Sequence, residues 1–342
     1  MPSFVPVFAV APAGRSSPSF GSSVRIEATA GPRRRNLDGG RVYAVTEPAA
    51  PASALVTRAP PTPPSFGETP FPVRNGLAGH PLFSDERIEE LLRRLPRARV
   101  EIRRVTVDPD PAGGWKRGPM DPDVDPVAAF RGLAQRPTWM LLHDTWKHDA
   151  GYRDLLEQYL AELSTLFPEL APGVSDLGCW MFLSSGRSVV HFHADPDQSF
   201  LNQVRGGKTV FVYPARVLPE KTVEELVYAY DQGVVTYDPA YEPQRFEPVH
   251  LSPGESVFLP LYAPHRVIND DTVCVSWNVG FNTARSRRRR DVHCVNLELR
   301  HLGLTPTPWG RRPRVDAVKR ASRFVFKAKN RLLPFTRPKI RV

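Results

Sequence analysis

The chain has 342 residues, 41% of them hydrophobic, a formal net charge of +10 and three cysteines. That apolar content supports a real core and excludes wholesale disorder. No apolar run approaches the ~18 residues of a membrane-crossing helix, and an odd cysteine count without CxxC spacing argues against a disulfide framework or zinc ribbon and points to a reducing compartment. The charge is unevenly placed: residues 1–75 carry a net +4, residues 76–284 a net −9 and residues 285–342 a net +15. An acidic body is the wrong sign for phosphate-driven DNA or RNA binding, so no specific nucleic acid is expected as a partner.

Residues 1–75 hold 13 of the 37 prolines, in stretches such as APPTPPSFGETPFP. Proline supplies no backbone donor and blocks helix, so this segment reads as a disordered Pro/Ala-rich leader. A mis-assigned start codon explains the same composition. The first residues lack a basic n-region, so no secretory signal is expected and the localisation reads as cytoplasmic. Order is expected from about residue 80. Ser84 caps a helix over DERIEELLRRL, with acids in the first turn. Residues 99–107 alternate as a strand, Pro126–Leu133 suits a short helix, and Thr138–His143 suits another strand. Tyr152, Leu155, Leu156, Tyr159, Leu160, Leu163 and Leu166 fall at helical spacing over 152–167. His143 and His148 flank Asp144 near a strand end and read as surface residues.

From about 178 the texture becomes short β-rich runs (CWMFL, SVVHFHA, KTVFVYP, ESVFLPL, TVCVSWNVGF) separated by SSG, RGG, SPG and NDD turns, the pattern of an antiparallel sandwich or small barrel. Trp180, Phe182, Phe211, Tyr213 and Trp277 read as sheet packing, and Cys179 and Cys274 as buried small hydrophobes. A helix over TVEELVYAYDQG interrupts the strands within 217–250. In the C-terminal segment Val318, Ala321, Val325 and Ala328 recur at helical spacing against Lys319, Arg320, Arg323 and Lys327, an amphipathic helix expected to pack its apolar side.

The chemistry concentrates in His191-Phe192-His193-Ala194-Asp195-Pro196. On a strand, His191, His193 and Asp195 would project to one side, and burial of three such groups calls for partners, a metal being the natural one. His265 follows the apolar run ending at Tyr262. Two histidines and a carboxylate match the two-His, one-carboxylate set of non-haem Fe(II) oxygenases, which leaves coordination positions open for a 2-oxo acid and O2. On spacing alone, a hydrogen-bonded structural pair plus an unrelated surface histidine explains these residues equally well. Lys208 follows on a later strand, where its ammonium could meet a substrate carboxylate.

These blocks resemble a family. HADPDQSFLNQVRGGKTVFVYP is similar to the core signature of the JmjC/cupin-like 2-oxoglutarate oxygenases, the group that includes protein asparaginyl hydroxylases, and LSPGESVFLPLYAPHRVINDDTVCVSWNVGF is similar to that family's distal-histidine block. The likeness covers about residues 80–330 and is strongest over 180–283. It implies a mainly β protein, a double-stranded β-helix (cupin, jelly-roll) core over about 178–283 with N-terminal helices, within a domain spanning 76–284, and a basic helical C-terminal tail over 285–342. It implies an Fe(II)- and 2-oxoglutarate-dependent dioxygenase, with O2 as oxidant, acting as a hydroxylase on a peptide or protein side chain or a natural product. His193, Asp195 and His265 match the metal ligands and catalytic centre; Lys208 matches the lysine that pairs with the distal carboxylate of 2-oxoglutarate; Asn278 matches an asparagine near the co-substrate. Three departures stand out: Val190 occupies the position of the family's usual threonine, Ser199 that of its usual asparagine, and His191 that of a common proline. A co-substrate hydroxyl partner is therefore missing or supplied elsewhere.

Two other readings stay open on the sequence: a non-catalytic cupin-like protein that binds metal or ligand, favoured by Val190, and a Zn(II) or Mn(II) cupin enzyme working without 2-oxoglutarate. The RSRRRR run and the tail after it read first as a solvated face, second as docked on the acidic body within one chain or in a homodimer through the C-terminal helices, and third as a site for an acidic partner, anionic lipid or RNA.

Overall fold

In the computed structural model the β-rich stretch forms two antiparallel sheets packed face to face. In spatial order the larger comprises β2 (Val56–Arg58), β3 (Phe71–Asn75), β11 (Glu255–Leu259), β8 (Gln198–Arg205), β13 (Cys274–Asn282), β6 (Val174–Ser184), β5 (Thr138–His143) and β4 (Val100–Arg104), with β1 (Val42–Tyr43) also pairing with β6. The smaller comprises β10 (Val249–Leu251), β9 (Lys208–Val212), β12 (His265–Asn269) and β7 (Val189–His193). With its flanking helices this is the expected mainly β, double-stranded β-helix (cupin, jelly-roll) architecture. The structure describes residues 42–43, 54–59, 66–105, 123–170, 172–229, 235–333 and 338, all within one compact unit, residues 34–342.

Both faces of the larger sheet are covered, which is why its strands read as apolar runs rather than as an apolar–polar alternation. Along β6, Cys179, Met181 and Leu183 face the helices, while Trp180, Phe182 and Ser184 face the smaller sheet. The helical side is closed by α1 (Asp85–Arg94) and α4 (Ala150–Leu166), and the short α2 (Pro126–Arg131) and α3 (Thr145–His148) come between them in the chain. The Ser84 side chain caps α1 by accepting from the Arg87 amide, as its position in the sequence suggests. Asp149 caps α4, accepting from the Gly151 and Tyr152 amides. The periodic residues of α4 then lie in the core, where the Tyr159 hydroxyl donates to Asn202 Oδ1 at 2.8 Å and Asn202 donates to the Trp277 carbonyl at 2.9 Å. These bonds satisfy the polar groups that a two-sided buried sheet would otherwise strand.

The expectation of a disordered leader through residue 75 does not hold for its last part. β3 sits inside the larger sheet between β2 and β11, and Phe71 packs its ring 4.8 Å from Phe258. Alternating burial of Phe71, Val73 and Asn75 outweighs the unfavourable strand proline Pro72. Of the proline-rich leader, residues 1–41, 44–53 and 60–65, including most of APPTPPSF, lie outside the described residues.

The C-terminal basic region docks rather than standing free. Thr283 and Ser286 form a capping box that starts α6 (Ala284–His301) directly after β13. Arg290 of the RSRRRR run bonds Asp176 at 2.7 Å, and Arg300 bonds Glu224 on α5 (Glu220–Ala229) at 2.6 Å. The following helix, α7 (Pro313–Leu332), is bound through Lys329 to Glu298 at 2.7 Å. The second reading of the basic run, docking within one chain, therefore describes these contacts better than a solvated face. One feature of α7 runs opposite to expectation. Val318, Ala321 and Val325 face outward and are exposed, while Asp316, Lys319 and Asn330 are buried. Hydrogen bonds from Lys319 to the Thr307 carbonyl at 2.5 Å and from the Gly310 amide to Asp316 at 2.9 Å hold the polar side inward.

Candidate active site

A cavity of about 260 Å³ lies between the two sheets, at the low end of small-molecule sites. His193, at the end of β7, and His265, at the start of β12, are cross-strand partners in the smaller sheet. Asp195 follows β7 by two residues. One donor atom from each of His193, Asp195 and His265 lies within 4.8 Å of the others. The two imidazole centroids are 4.2 Å apart, and His265 Nε2 is 3.8 Å from Asp195 Oδ2. Both histidines are buried. Each has Nδ1 against a backbone carbonyl, His193 with His191 O at 2.7 Å and His265 with Ala263 O at 3.1 Å. Nδ1 therefore carries the proton, and Nε2 presents its lone pair. Two fixed imidazole nitrogens and a carboxylate suit Fe(II), and also Mn(II) or Zn(II).

His191 does not join them. The pairing of β7 with β12 runs from His265 opposite His193 to Val267 opposite Val190, so three steps on β7 match two on β12. This extra residue is a β-bulge, which inverts the side-chain phase and re-aims side chains beside a site. Val190 and His193 consequently line the cavity, whereas His191 is buried away from its wall. The expected common face of His191, His193 and Asp195 is corrected to His193 and Asp195 alone.

Lys208 and Asn278, the co-substrate residues implied by the resemblance, line the same cavity from opposite sheets. Lys208 starts β9 and is buried; burial depresses its pKa, and among the described residues no carboxylate pairs with it. Asn278, on β13, has a buried Oδ1 without a hydrogen-bond partner among the described residues. An unpaired buried cation is costly unless a ligand supplies the anion, so Lys208 fits a small carboxylate, whereas the orphaned Asn278 Oδ1 is an acceptor and calls for a donor. Ser184 and Asn269 line the cavity beside them, Asn269 donating to Ser184 Oγ at 2.8 Å. Ser184 thus offers a hydroxyl in a cavity where Val190 has none.

The remaining wall belongs to residues whose sequence context suggests other places. Trp180 and Phe182 line the cavity, Phe182 while also packing against the core of the smaller sheet, and His143 belongs to the wall, not to the outer surface. His143 Nε2 is 2.9 Å from Glu101 Oε1, and that hydrogen bond, helped by Arg103, holds the Glu101 carboxyl down at about 2. Strict alternation within Thr138–His143 places Trp139, Leu141 and His143 on one face, a signal that the strand pattern itself contains. Trp180 lies across the paired glycines Gly178 and Gly280: a Cβ on either would sit 2.2 or 2.6 Å from its ring. Nothing in the sequence spacing announces that contact. Asp197 also lines the cavity; burial first, then the Asp195 and Asp176 carboxylates, raise its pKa well above the usual range.

A second grouping, Glu220, Glu224 and His293, lies between α5 and α6. Arg300 covers both Glu224 oxygens at 2.6 and 3.3 Å, which makes this an interhelical ion pair.

No family model matches the sequence, and no curated protein matches it. Among solved structures, the chain is similar to Escherichia coli YcfD, at 17% identity over 78% of this chain and 65% of that one, with a TM-score of 0.40. It is also similar to YcfD, a ribosomal oxygenase from Escherichia coli, in complex with cobalt and 2-oxoglutarate (16% identity, 78% and 64% coverage, TM-score 0.37) and in complex with cobalt and succinic acid (18%, 72% and 59%, 0.36). The chain spans about 65% or less of the length of these YcfD structures.

Proposed function

We propose that this protein is an Fe(II)- and 2-oxoglutarate-dependent oxygenase that hydroxylates a side chain of a peptide or protein, or a natural-product substrate. The observation that carries this reading is the co-location, in one cavity, of the His193, Asp195 and His265 donors with the buried, carboxylate-free Lys208. A metal site alone does not require a buried ammonium in its own chamber. A dicarboxylic co-substrate does, because one end meets the metal and the other needs a cation. The same observation disfavours a Zn(II) or Mn(II) cupin working without 2-oxoglutarate.

In this reading His193, Asp195 and His265 hold the metal, and Fe(II) bound there couples oxidative decarboxylation of 2-oxoglutarate by O2, to succinate and CO2, with transfer of one oxygen atom to a substrate C–H bond. The chain's own tasks are positional. Lys208 neutralises and orients the distal carboxylate. Ser184 donates to it in place of the hydroxyl that Val190 lacks, and Asn278 would lie beside the co-substrate in the chamber wall. Val190, Leu201, Leu259 and Val267 give the chamber apolar walls that limit water. Trp139, Trp180 and Phe182, with His143 held by Glu101, shape the substrate side.

The test is substrate-free turnover: purified protein with Fe(II), 2-oxoglutarate and O2, followed by NMR for succinate. Slow succinate formation that requires Fe(II) is expected. Its absence from folded, iron-loaded protein would overturn the assignment. Ser184→Ala is expected to raise KM for 2-oxoglutarate about tenfold, as loss of one hydrogen bond to a charged group implies, with kcat changed little. An unchanged KM would assign the hydroxyl elsewhere.

A further inference from the structure

α7 is amphipathic, but its apolar side faces solvent. Val318, Ala321, Phe324, Val325 and Leu332 form one stripe at helical spacing, with Phe324 and Leu332 77% and 78% exposed. The helix cannot turn to bury that stripe. Lys319 and Asn330 bond the Thr307 carbonyl and Glu298 from the opposite side, where Glu298 and Asn330 are buried and also share the Tyr228 hydroxyl, and Lys329 reaches Glu298 from the flank of the stripe. Rotation would strand those polar groups.

The charge around the stripe selects its occupant. Residues 311–331 carry nine basic side chains against one acid. Arg314, Arg320 and Arg331 are exposed and in no ion pair among the described residues. A second copy seated on this face would oppose these arginines to their own kind. A nucleic acid would use the charge and leave Phe324, Val325 and Leu332 in water. An anionic bilayer surface uses both: apolar side chains enter the acyl boundary while arginines meet acidic headgroups. At 20 residues α7 is about 30 Å long, and no described helix is long and apolar enough to cross a membrane, so α7 would lie flat.

We propose that α7 docks this protein onto anionic lipid surfaces, presenting Phe324 and Leu332 to the acyl boundary and Arg314, Arg320 and Arg331 to acidic headgroups. Full-length protein is sedimented with vesicles of phosphatidylcholine alone or of an equimolar mixture with phosphatidylglycerol. Binding to the mixed vesicles only is expected. Replacing Arg314, Arg320 and Arg331 by Gln should weaken it on the order of 100-fold, about fivefold per basic side chain. Phe324→Gln/Leu332→Gln, both at exposed positions where the fold tolerates change, should abolish it without altering the melting temperature. Three results would overturn the proposal: equal sedimentation with both vesicle types, undiminished binding by the Phe324→Gln/Leu332→Gln variant, which would signal a contact with polyanions such as RNA, or a wild-type dimer in sedimentation velocity that the same variant converts to monomer.

Discussion

His193→Ala is expected to abolish metal-dependent turnover and the anaerobic visible charge-transfer band of the Fe(II)–2-oxoglutarate complex, while the protein stays folded. The imidazole supplies one donor of the three-residue His193, Asp195 and His265 cluster. Losing a partner that merely orients a ligand costs ~10–100-fold in metal affinity or activity, and losing the ligand itself costs more. His193 also bonds the His191 carbonyl, so its removal takes one hydrogen bond from the fold at about 0.5–1.5 kcal/mol. That is a tolerable fraction of a domain's ~5–15 kcal/mol stability. Circular dichroism together with an anaerobic Fe(II) titration separates the outcomes. A folded variant that retains the band would remove His193 from the ligand set. Asp195→Asn keeps the shape and removes the charge, and it should lose the band as well. If Asp195→Asn keeps the band, the His193–His265 pair binds metal without a carboxylate.

The candidate metal triad was legible in the sequence, and so were most of the elements that hold it. Ser84 and the 152–167 periodicity locate α1 and α4 because caps and helical spacing are local properties. Thr138–His143 coincides with β5 because a short apolar run between turns has few alternatives. The features that stayed hidden are non-local. The phase of β7 depends on a bulge set by its pairing with β12, so strict alternation put His191 on the wrong face. Trp180 became cavity wall because glycines on two neighbouring strands leave room for its ring. The apolar side of α7 points outward because buried polar bonds to α6 and the Thr307 carbonyl decide its rotation, which a helical wheel does not contain. The proline content of the leader concealed β3, whose partner β11 lies about 180 residues later.

Lys208→Met separates co-substrate binding from folding, and the two effects have opposite signs. In the folded chain Lys208 is buried with a depressed pKa and no carboxylate partner among the described residues. The unfolded chain therefore binds more protons than the folded one between that depressed pKa and the ordinary 10.5. Stability then rises with pH across this window, and the full penalty applies below it. Methionine has similar length and no charge to desolvate. The variant should be more stable than the parent at neutral pH by on the order of 1–3 kcal/mol, and its alkaline stability slope should flatten, both read by urea denaturation at stepped pH. The same change removes the cation facing the distal carboxylate of 2-oxoglutarate. Truncating one partner of a buried charge pair costs about 2–5 kcal/mol, so affinity for 2-oxoglutarate should fall about 30-fold or more, while Fe(II) affinity measured without it stays unchanged. Binding of 2-oxoglutarate to the parent should also take up a proton wherever Lys208 is partly neutral, and the variant should take up none. A variant that is destabilised and binds 2-oxoglutarate normally would make Lys208 a packing residue and move the carboxylate site elsewhere in the chamber. A variant that is stabilised and binds poorly would show that the fold gives up stability to hold an anion.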